Sequence, residues 1–143
     1  MDPMDRVLSH LRRSMEASQA AKDRALLDSG LTKAQYNALL LLERGHGSTA
    51  TQLAAACGVT QQAMSRTVNR LVEAKFVEES SSPHGGRTRV LSITSRGLHA
   101  LEIADEAVNR VEVDLRSALA PLGADDFTAA LDRLATAADH ILR

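Results

Sequence analysis

Residues Ala50–Leu71 read ATQLAAACGVTQQAMSRTVNRL and carry the pattern of a helix-turn-helix. That motif requires a small residue where its two helices cross, a glycine at the turn and apolar residues on both inner faces. Ala54 is the small residue, and Gly58 supplies the turn with Val59 behind it. The inner-face positions are held by Leu53, Met64, Val68 and Leu71. A plain corner between two helices of an all-helical domain would satisfy the same pattern, so that alternative stays open.

The second helix of this motif favours contact with DNA. At about 100° per residue its apolar residues share one side, and the rest of its surface carries Gln62, Arg66, Asn69, Glu73, Ser65 and Arg70. Glutamine and asparagine can bond adenine edges, arginine can fork onto guanine, and serine can bond a base or a phosphate. The first turn usually enters the major groove deepest, so the main candidates for base contact are Gln61, Gln62, Ser65 and Arg66. A solvated helix face is the alternative, although this face is less charged than is typical of one.

A turn-rich segment, Ser81–Thr94, follows the motif and reads SSPHGGRTRVLSIT. Turn residues followed by alternating apolar residues indicate a β-hairpin. A hairpin in this place makes the motif a winged helix-turn-helix and predicts that Arg87, together with Arg89, lies beside DNA. Arginine there can enter a narrow minor groove or hold phosphates. An exposed hairpin with solubilising arginines is the alternative interpretation.

The remaining periodicity is helical, which predicts a mainly α chain with a small two-stranded β wing. The predicted elements are a helix from Met4 to about Leu27, a helix from about Lys33 to Arg44 opened by a Thr32–Gln35 capping box, a helix starting at Ser48 or Thr49, a helix capped by Thr60, strands FVEES and RTRVLSIT, a helix from about Ser95 to Leu119, and a last helix over ADDFTAALDRLATAADHILR.

The last helix carries a narrow apolar seam. Phe127, Leu131, Leu134, Ala138 and Ile141 step by four, three, four and three residues, which is the spacing of a coiled coil. The first helix has a similar spacing. These seams could pack within their own chain. A homodimer interface is the favoured interpretation, because a lone three-helix core would leave such seams poorly covered.

Composition sets the broad class. The chain has 143 residues, of which 44% are hydrophobic and only 2% aromatic, so a packed core of one domain must be built from aliphatic residues. No run approaches the roughly 18 apolar residues of a membrane span. The charged N-terminus MDPMDRVLSH lacks the apolar core of a signal peptide. These features predict a cytoplasmic protein with no membrane partner.

The charge distribution is more informative than the net charge of −1. Between Ser48 and Gly97 there are six basic and three acidic residues, whereas the remainder has 11 basic and 15 acidic ones. A basic middle between acidic ends suits a chain whose centre meets phosphates. Because the imbalance is small, ordinary surface charge remains an alternative on this observation alone.

Other chemistries find little support. The lone Cys57 cannot form an intrachain disulfide or a cysteine-based zinc site, and its apolar position favours a buried structural role over redox sensing. Five scattered histidines, His10, His46, His84, His99 and His140, lack metal-ligand spacing. No nucleophile–base arrangement or phosphate loop is present. The sequence therefore predicts no metal, no cofactor and no enzyme.

Three segments, LTKAQYNALLLL, VTQQAMSRTVNRLVEAKFVEE and GGRTRVLSITSRG, resemble the MarR family of bacterial transcription regulators. The likeness covers nearly the whole chain. It implies one domain, 1–143, with dimerisation helices at 1–30 and 120–143, the winged helix-turn-helix at 31–97 and a long connecting helix at 95–119. It also implies an obligate homodimer on pseudo-palindromic operators of double-stranded DNA, more often a repressor, released by a small phenolic or anionic effector or by an oxidant.

The motif and the resemblance together give the expected sites. The residues expected at DNA are Thr49, Thr60, Gln61, Gln62, Ser65, Arg66, Asn69, Arg70, Arg87 and Arg89. An effector pocket between the dimer helices and the DNA lobe could be lined by His10, Arg13 and Tyr36. The alternative function is a winged-helix module that binds a protein partner and has no sequence-specific affinity for DNA.

Two positions depart from the family pattern. Relatives usually carry an aspartate two residues before the wing arginine, where it braces the wing through an ion pair, and this chain has Gly85. This wing is therefore expected to be more mobile or braced differently. Relatives also favour glycine after the recognition helix, where this chain has Lys75. A left-handed cap would be strained for lysine, so the helix is expected to end differently or run on.

Overall fold

The computed structural model describes residues 2–142 and confirms a mainly helical chain with one small sheet. In chain order, its elements are a short 3-10 helix at Pro3–Asp5, α1 (Val7–Ser29), α2 (Lys33–Glu43), α3 (Ala50–Cys57), α4 (Gln61–Glu73), β1 (Val77–Ser81), β2 (Arg89–Ile93), α5 (Ser95–Ala118) and α6 (Ala124–Ile141). The described chain divides into two compact units, one reaching Val108 and the other starting at Asn109.

Among the element boundaries that differ from the sequence prediction, two have clear local reasons. The first α-helix starts at Val7 instead of Met4, because the Asp2 carboxylate accepts from the Met4 N–H at 2.9 Å and caps a separate 3-10 turn. The second strand starts at Arg89, two residues later than predicted. The turn before it contains two left-handed glycines, and Arg87 belongs to that turn and not to the strand.

The core of the first unit draws on the helices and on the sheet. Its largest fully buried side chains are Leu26, Leu31, Leu39, Leu53, Met64, Leu71 and Val77. Leu91 of β2 and Leu101 and Ala104 of α5 extend the same cluster. As composition predicted, the core is aliphatic, with Tyr36 as an aromatic exception at 6% exposure. This packing fixes α4 and the wing to one scaffold.

The helix-turn-helix is confirmed by its caps and its turn. The Thr60 hydroxyl accepts from the Ala63 N–H at 3.1 Å and opens α4. Gly58 has a φ of 65°, a left-handed conformation that ends α3. The Val59 N–H then donates to the Ala54 carbonyl at 3.1 Å, which completes a Schellman-type ending. The inner-face residues named from the sequence, Leu53, Ala54, Met64, Val68 and Leu71, are all buried.

The expectation for Lys75 is wrong. Lys75 has a φ of 59° and takes the left-handed position itself. The Lys75 N–H donates to the Val72 carbonyl and the Phe76 N–H to the Leu71 carbonyl, each at 2.9 Å, which repeats the ending at Gly58. The strain of about 1 kcal/mol is tolerated because the Thr94 hydroxyl donates to the Lys75 carbonyl at 2.7 Å. Tertiary contact thus overrides the local preference.

The same junction fixes the start of α5. The Thr94 N–H donates to the Phe76 carbonyl at 3.0 Å, and the Thr94 hydroxyl accepts from the Gly97 N–H at 3.0 Å. A Cβ on Gly97 would overlap the Phe76 carbonyl oxygen. Only glycine therefore allows this approach, which joins the end of α4 directly to the beginning of α5.

The wing is an antiparallel pair whose register runs from Val77 opposite Ile93 to Ser81 opposite Arg89. Its second strand is also tied to the loop before α3, because the Leu91 N–H donates to the Ser48 carbonyl at 2.7 Å. The hairpin is therefore anchored to both helices of the motif, to α3 through Ser48 and to α4 through the chain at Phe76.

The second unit contains the last part of α5 and all of α6. None of the residues of α6 is buried. In its predicted seam, Phe127 and Leu131 are half-buried, Leu134 is 42% exposed and Ile141 is 85% exposed. An exposed ion pair joins Arg116 and Asp125 at 3.4 Å. The α6 helix forms as predicted, and the assignment of its seam to a dimer stays a prediction.

Candidate nucleic-acid interface

Helix α4 presents the polar face that the sequence predicts. Met64, Val68 and Leu71 are buried at 3% exposure or less, which turns the opposite side of the helix outward. The side chains of Gln61, Gln62, Arg66, Asn69 and Arg70 are exposed, and Ser65 is half-buried. A straight helix with a polar outer face and an anchored inner face has the shape that a major groove accepts.

The two glutamines at the start of α4 differ. The Gln61 Nε2 donates to the Thr51 hydroxyl of α3 at 2.7 Å. Gln62 makes no side-chain hydrogen bond within the described chain. Sequence reasoning missed Thr51, because the pair is ten residues apart and meets only where α3 and α4 cross. A threonine on the outer face of the first motif helix was the available signal.

The two capping threonines, Thr49 and Thr60, serve the fold first. The Thr49 hydroxyl oxygen accepts from the Gln52 N–H at 3.2 Å, as the Thr60 hydroxyl does from Ala63. A hydroxyl that accepts a backbone bond keeps its own hydrogen for another acceptor. Thr60 is exposed and Thr49 half-buried, so a phosphate oxygen can be reached most readily from Thr60. Their DNA contacts stay predictions.

The wing carries Arg87 in its turn and Arg89 at the start of β2, and both are exposed. Gly85 and Gly86 have φ values of 79° and 94°, so an aspartate at position 85 would be strained. The turn is held by its backbone instead: the Gly85 N–H donates to the Ser82 carbonyl at 3.1 Å. This hydrogen bond closes the turn that precedes Arg87.

The basic residues of the interface are unpaired in the described part of the chain. The arginine–carboxylate pairs found between residues 2 and 142 lie in α1 and in the second unit: Arg12–Glu16, Arg24–Asp28 and Arg116–Asp125. No carboxylate lies within 4.0 Å of the guanidinium groups of Arg66, Arg70, Arg87 or Arg89 in that same range. Their full charge is thus available to phosphates.

Tyr36 is buried among three helices. Its hydroxyl donates to the Asp105 carboxylate of α5 at 2.6 Å, and the Lys22 ammonium of α1 lies 5.5 Å from the ring centroid. Burial first, then the hydrogen bond and the negative charge of Asp105, raise the pKa of Tyr36 to about 12. Neither Lys22 nor Asp105 was identified from the sequence, since both contacts depend on tertiary packing.

The other two effector candidates, His10 and Arg13, are exposed on α1. At about 1.5 Å of rise per residue, Arg13 lies roughly 14 Å along the helix axis from Lys22, the α1 residue that covers the tyrosine. The same spacing puts His10 about 18 Å away. Within one chain, these two side chains therefore sit apart from the Tyr36 ring, and their role stays a prediction.

Cys57 is half-buried at the end of α3. Burial raises the pKa of its thiol above the ordinary value, which lowers the fraction of reactive thiolate.

In the described range, no three His, Cys, Asp or Glu side chains come together as a metal site. An open cavity of about 880 Å³ lies between the end of α2, α3 and β2, with Leu42, His46, Gln52 and Ile93 in its lining.

No helix between residues 2 and 142 is both long enough and apolar enough to cross a bilayer. The fold and the polar face together define a winged helix-turn-helix DNA-binding protein. A model of the MarR family matches residues 29–88. Over these residues the chain is similar to the MarR family of transcription regulators, and it is a DNA-binding regulator.

Individual relatives agree with this assignment. A helix-turn-helix-type transcriptional repressor of Mycobacterium tuberculosis is 27% identical over 110 residues, covering 77% of this chain and 79% of that protein. The transcriptional repressor CouR bound to a 23-mer DNA duplex is 25% identical, with a TM-score of 0.76 over 94% of this chain and 93% of CouR. CouR bound to p-coumaroyl-CoA is 25% identical, with a TM-score of 0.73 over 96% of each chain.

Proposed function

We propose that this chain is a homodimeric repressor that binds a pseudo-palindromic operator and releases it when a small effector binds. The observation that carries the DNA-binding part is that four arginines, Arg66 and Arg70 of α4 and Arg87 and Arg89 of the wing, have no carboxylate within 4.0 Å among residues 2–142. Arg70, Arg87 and Arg89 supply phosphate contacts, while the base contacts come from Gln61, Gln62, Ser65, Arg66 and Asn69. The chain acts by binding and not by catalysis, in the cytoplasm, where the DNA is.

The exposed apolar residues of the terminal helices support the homodimer. Near the N-terminus, Met4 of the 3-10 turn is 69% exposed, and Leu8 and Met15 of α1, seven residues apart, are 77% and 68% exposed. In the second unit, Leu134 and Ile141 of α6 are likewise 42% and 85% exposed. A second copy would cover these seams and place two α4 helices about 34–36 Å apart, in successive major grooves.

The effector is proposed to be a small phenolic or anionic molecule. CouR has been solved both on DNA and with p-coumaroyl-CoA, and this supports a phenolic or anionic ligand for the present chain. The candidate residues remain His10, Arg13 and Tyr36, with Lys22 beside the tyrosine as a nearby positive charge. Titration of the protein–DNA complex with phenolic acids should release DNA, and Lys22→Ala should weaken that response while leaving DNA affinity unchanged.

The DNA-binding proposal is tested by measuring affinity against salt concentration. The purified chain should select duplexes from genomic fragments, and its binding constant should fall steeply as salt rises. Arg87→Ala should flatten the slope by about one unit, while the matched control Arg133→Ala, on α6, should leave it unchanged. Binding no stronger than to random duplex would overturn the proposal and favour the protein–protein module. An unaltered slope in Arg87→Ala would remove the wing from the interface.

A further inference from the structure

The hydrogen bond between Thr51 and Gln61 distinguishes the two adjacent glutamines at the start of α4, because it holds the side chain of Gln61 and not that of Gln62. Gln61 is the first residue of the helix, and its Nε2 donates to the Thr51 Oγ1 at 2.7 Å although both side chains are exposed. Gln62 is also exposed, and its side chain makes no hydrogen bond in residues 2–142. The Gln61 amide is therefore restrained before DNA binds, whereas no hydrogen bond within residues 2–142 restrains the Gln62 amide.

Helical geometry explains why only one of them reaches α3. Gln61 lies three and seven residues before the buried Met64 and Val68, so it shares their side of the helix. It therefore sits at the edge of the inner face, next to α3. Gln62 is rotated by about 100°, onto the face of Arg66 and Asn69.

The bond leaves the right groups for base recognition. A glutamine amide has two N–H donors and one carbonyl acceptor. Thr51 takes one donor, and the remaining N–H and Oε1 form the donor–acceptor pair that an adenine edge requires. The Thr51 hydroxyl in turn keeps its own hydrogen, which can be donated to a phosphate oxygen.

Fixing the amide before binding should sharpen selectivity. A free glutamine loses rotamer freedom when it binds a base, and a pre-oriented one has already lost it. It also resists turning its amide over to suit another base. Gln62, by contrast, can adapt to several bases and discriminates less strictly.

We propose that Thr51 is a positioning residue for Gln61, and that Gln61 so held reads an adenine-containing base pair in each half-site with more stringency than Gln62 achieves. This inference rests on the proposed function, namely sequence-specific binding to DNA. It adds Thr51, on the first motif helix, to the determinants of sequence preference.

The test is a double-mutant cycle on Thr51 and Gln61. The probes are the best duplex selected from a random pool by the wild-type protein and its single-base-pair variants. Gln61→Ala should lose discrimination at one A·T pair per half-site. Thr51→Val should reduce that same discrimination roughly three- to tenfold, since a single hydrogen bond is removed. Thr51→Ser, which keeps the hydroxyl, should retain it, and Thr51→Val should add nothing to Gln61→Ala.

Gln62→Ala is the matched control, because it should change preference at a different base pair and be indifferent to Thr51→Val. Thr51→Ala, a better helix former than valine, gives a second hydroxyl-free variant in case Thr51→Val fails to fold. A readout without DNA is the Gln61 side-chain amide in ¹H–¹⁵N spectra: its resonances should move in Thr51→Val, and those of Gln62 should not.

Three results would overturn the inference. Equal weakening on every duplex in Thr51→Val would reduce Thr51 to a phosphate contact. Additive effects in the cycle would show that the two residues act independently, and unchanged discrimination would deny Thr51 a role. In each case the wild type still selects its duplex, whereas failure of the wild type to select any duplex would refute the proposed function itself.

Discussion

The lobe over residues 31–97 and the terminal helices differ in how many of their apolar side chains are buried within one chain. Within the lobe, α4 alone buries Met64, Val68 and Leu71. The 23-residue α1 buries only Leu26, close to its C-terminal end, and α6 buries nothing. The lobe therefore completes its core within one chain, while the terminal helices carry apolar seams for which a second copy is the proposed partner.

The C-terminal ends of α3 and α4 show how well the lobe is packed. Helix α3 ends at a left-handed Gly58 and α4 ends at a left-handed Lys75, with the same pair of backbone hydrogen bonds. Glycine takes this conformation at little cost, whereas lysine is held there by Thr94. The lobe is therefore packed well enough to impose a strained conformation, which an incompletely packed helix could not do.

The largest expected effect is on the dimer dissociation constant, when a charge is placed in the apolar seam of α6. Leu134→Lys would bury an unpaired ammonium in the proposed dimer, at a cost of about 3 kcal/mol or more. The dimer dissociation constant should rise at least about a hundredfold, while the lobe stays folded by circular dichroism. Sedimentation measures the constant, with Thr136→Lys on the opposite side of α6 as the control. Equal dimerisation of Leu134→Lys and wild type would refute the seam.

The next largest effect is on the free energy of unfolding of the lobe. Gly97→Ala puts a Cβ onto the Phe76 carbonyl oxygen, and such overpacking should lower the free energy of unfolding by about 3 kcal/mol. Gly123→Ala is the control, because its nearest neighbour would be Asp126 Oδ2 at 3.5 Å, and it should cost about 0.5 kcal/mol. Urea denaturation compares them. Similar stability in both variants would show that Gly97 and the Phe76 carbonyl can move apart at little cost in free energy.

Tyr36→Phe removes the hydrogen bond to Asp105 and should lower the free energy of unfolding by about 1.5 kcal/mol at neutral pH. The folded-state pKa of Tyr36 is raised from 10.0 to about 12. Its contribution is therefore complete below pH 10 and is lost as pH rises through 10 towards 12. The variant should lack that alkaline loss. Both proteins are best compared in a Cys57→Ala background, because the raised thiol pKa adds a loss of its own.

Tyr36 is the single tyrosine of the chain, so its phenolate absorbance reports the titration directly. The native midpoint should lie near 12 and return to the ordinary value in denaturant. A native midpoint at the ordinary value would contradict the buried bond to Asp105.

The smallest effect tests the strained ending. Lys75→Gly relieves the left-handed strain of about 1 kcal/mol but adds chain entropy to the unfolded state, for a net gain of at most about 0.5 kcal/mol. Lys75→Ala removes the same side chain and keeps the strain, so it should bring no such gain. Thermal unfolding separates them, and equal stability of the two variants would mean that position 75 carries no strain.

Local signals made most of the fold predictable. The capping pair Thr32–Gln35, the caps at Thr49 and Thr60 and the turn at Gly58 each act within a few residues, and the structure has all of them. The polar face of α4 follows from helical periodicity alone. The residues assigned to DNA contact on this basis remain predictions.

What the sequence did not disclose lies in contacts between distant residues. Tyr36 and Asp105 are 69 positions apart, and Thr51 meets Gln61 only at a helix crossing. Lys75 was expected to avoid the left-handed region because local preference says so, and a hydroxyl 19 residues away reversed the outcome. Such effects depend on three-dimensional packing, which a periodicity cannot report.

The most direct test of the account is the stoichiometry of the complex between the purified chain and its selected duplex. Native mass spectrometry of that complex should show two chains per duplex, and footprinting should show two protected major grooves one helical turn apart, about 34–36 Å. One chain per duplex, or protection of a single groove, would contradict a protein whose lobe reads DNA and whose terminal helices pair with a second copy.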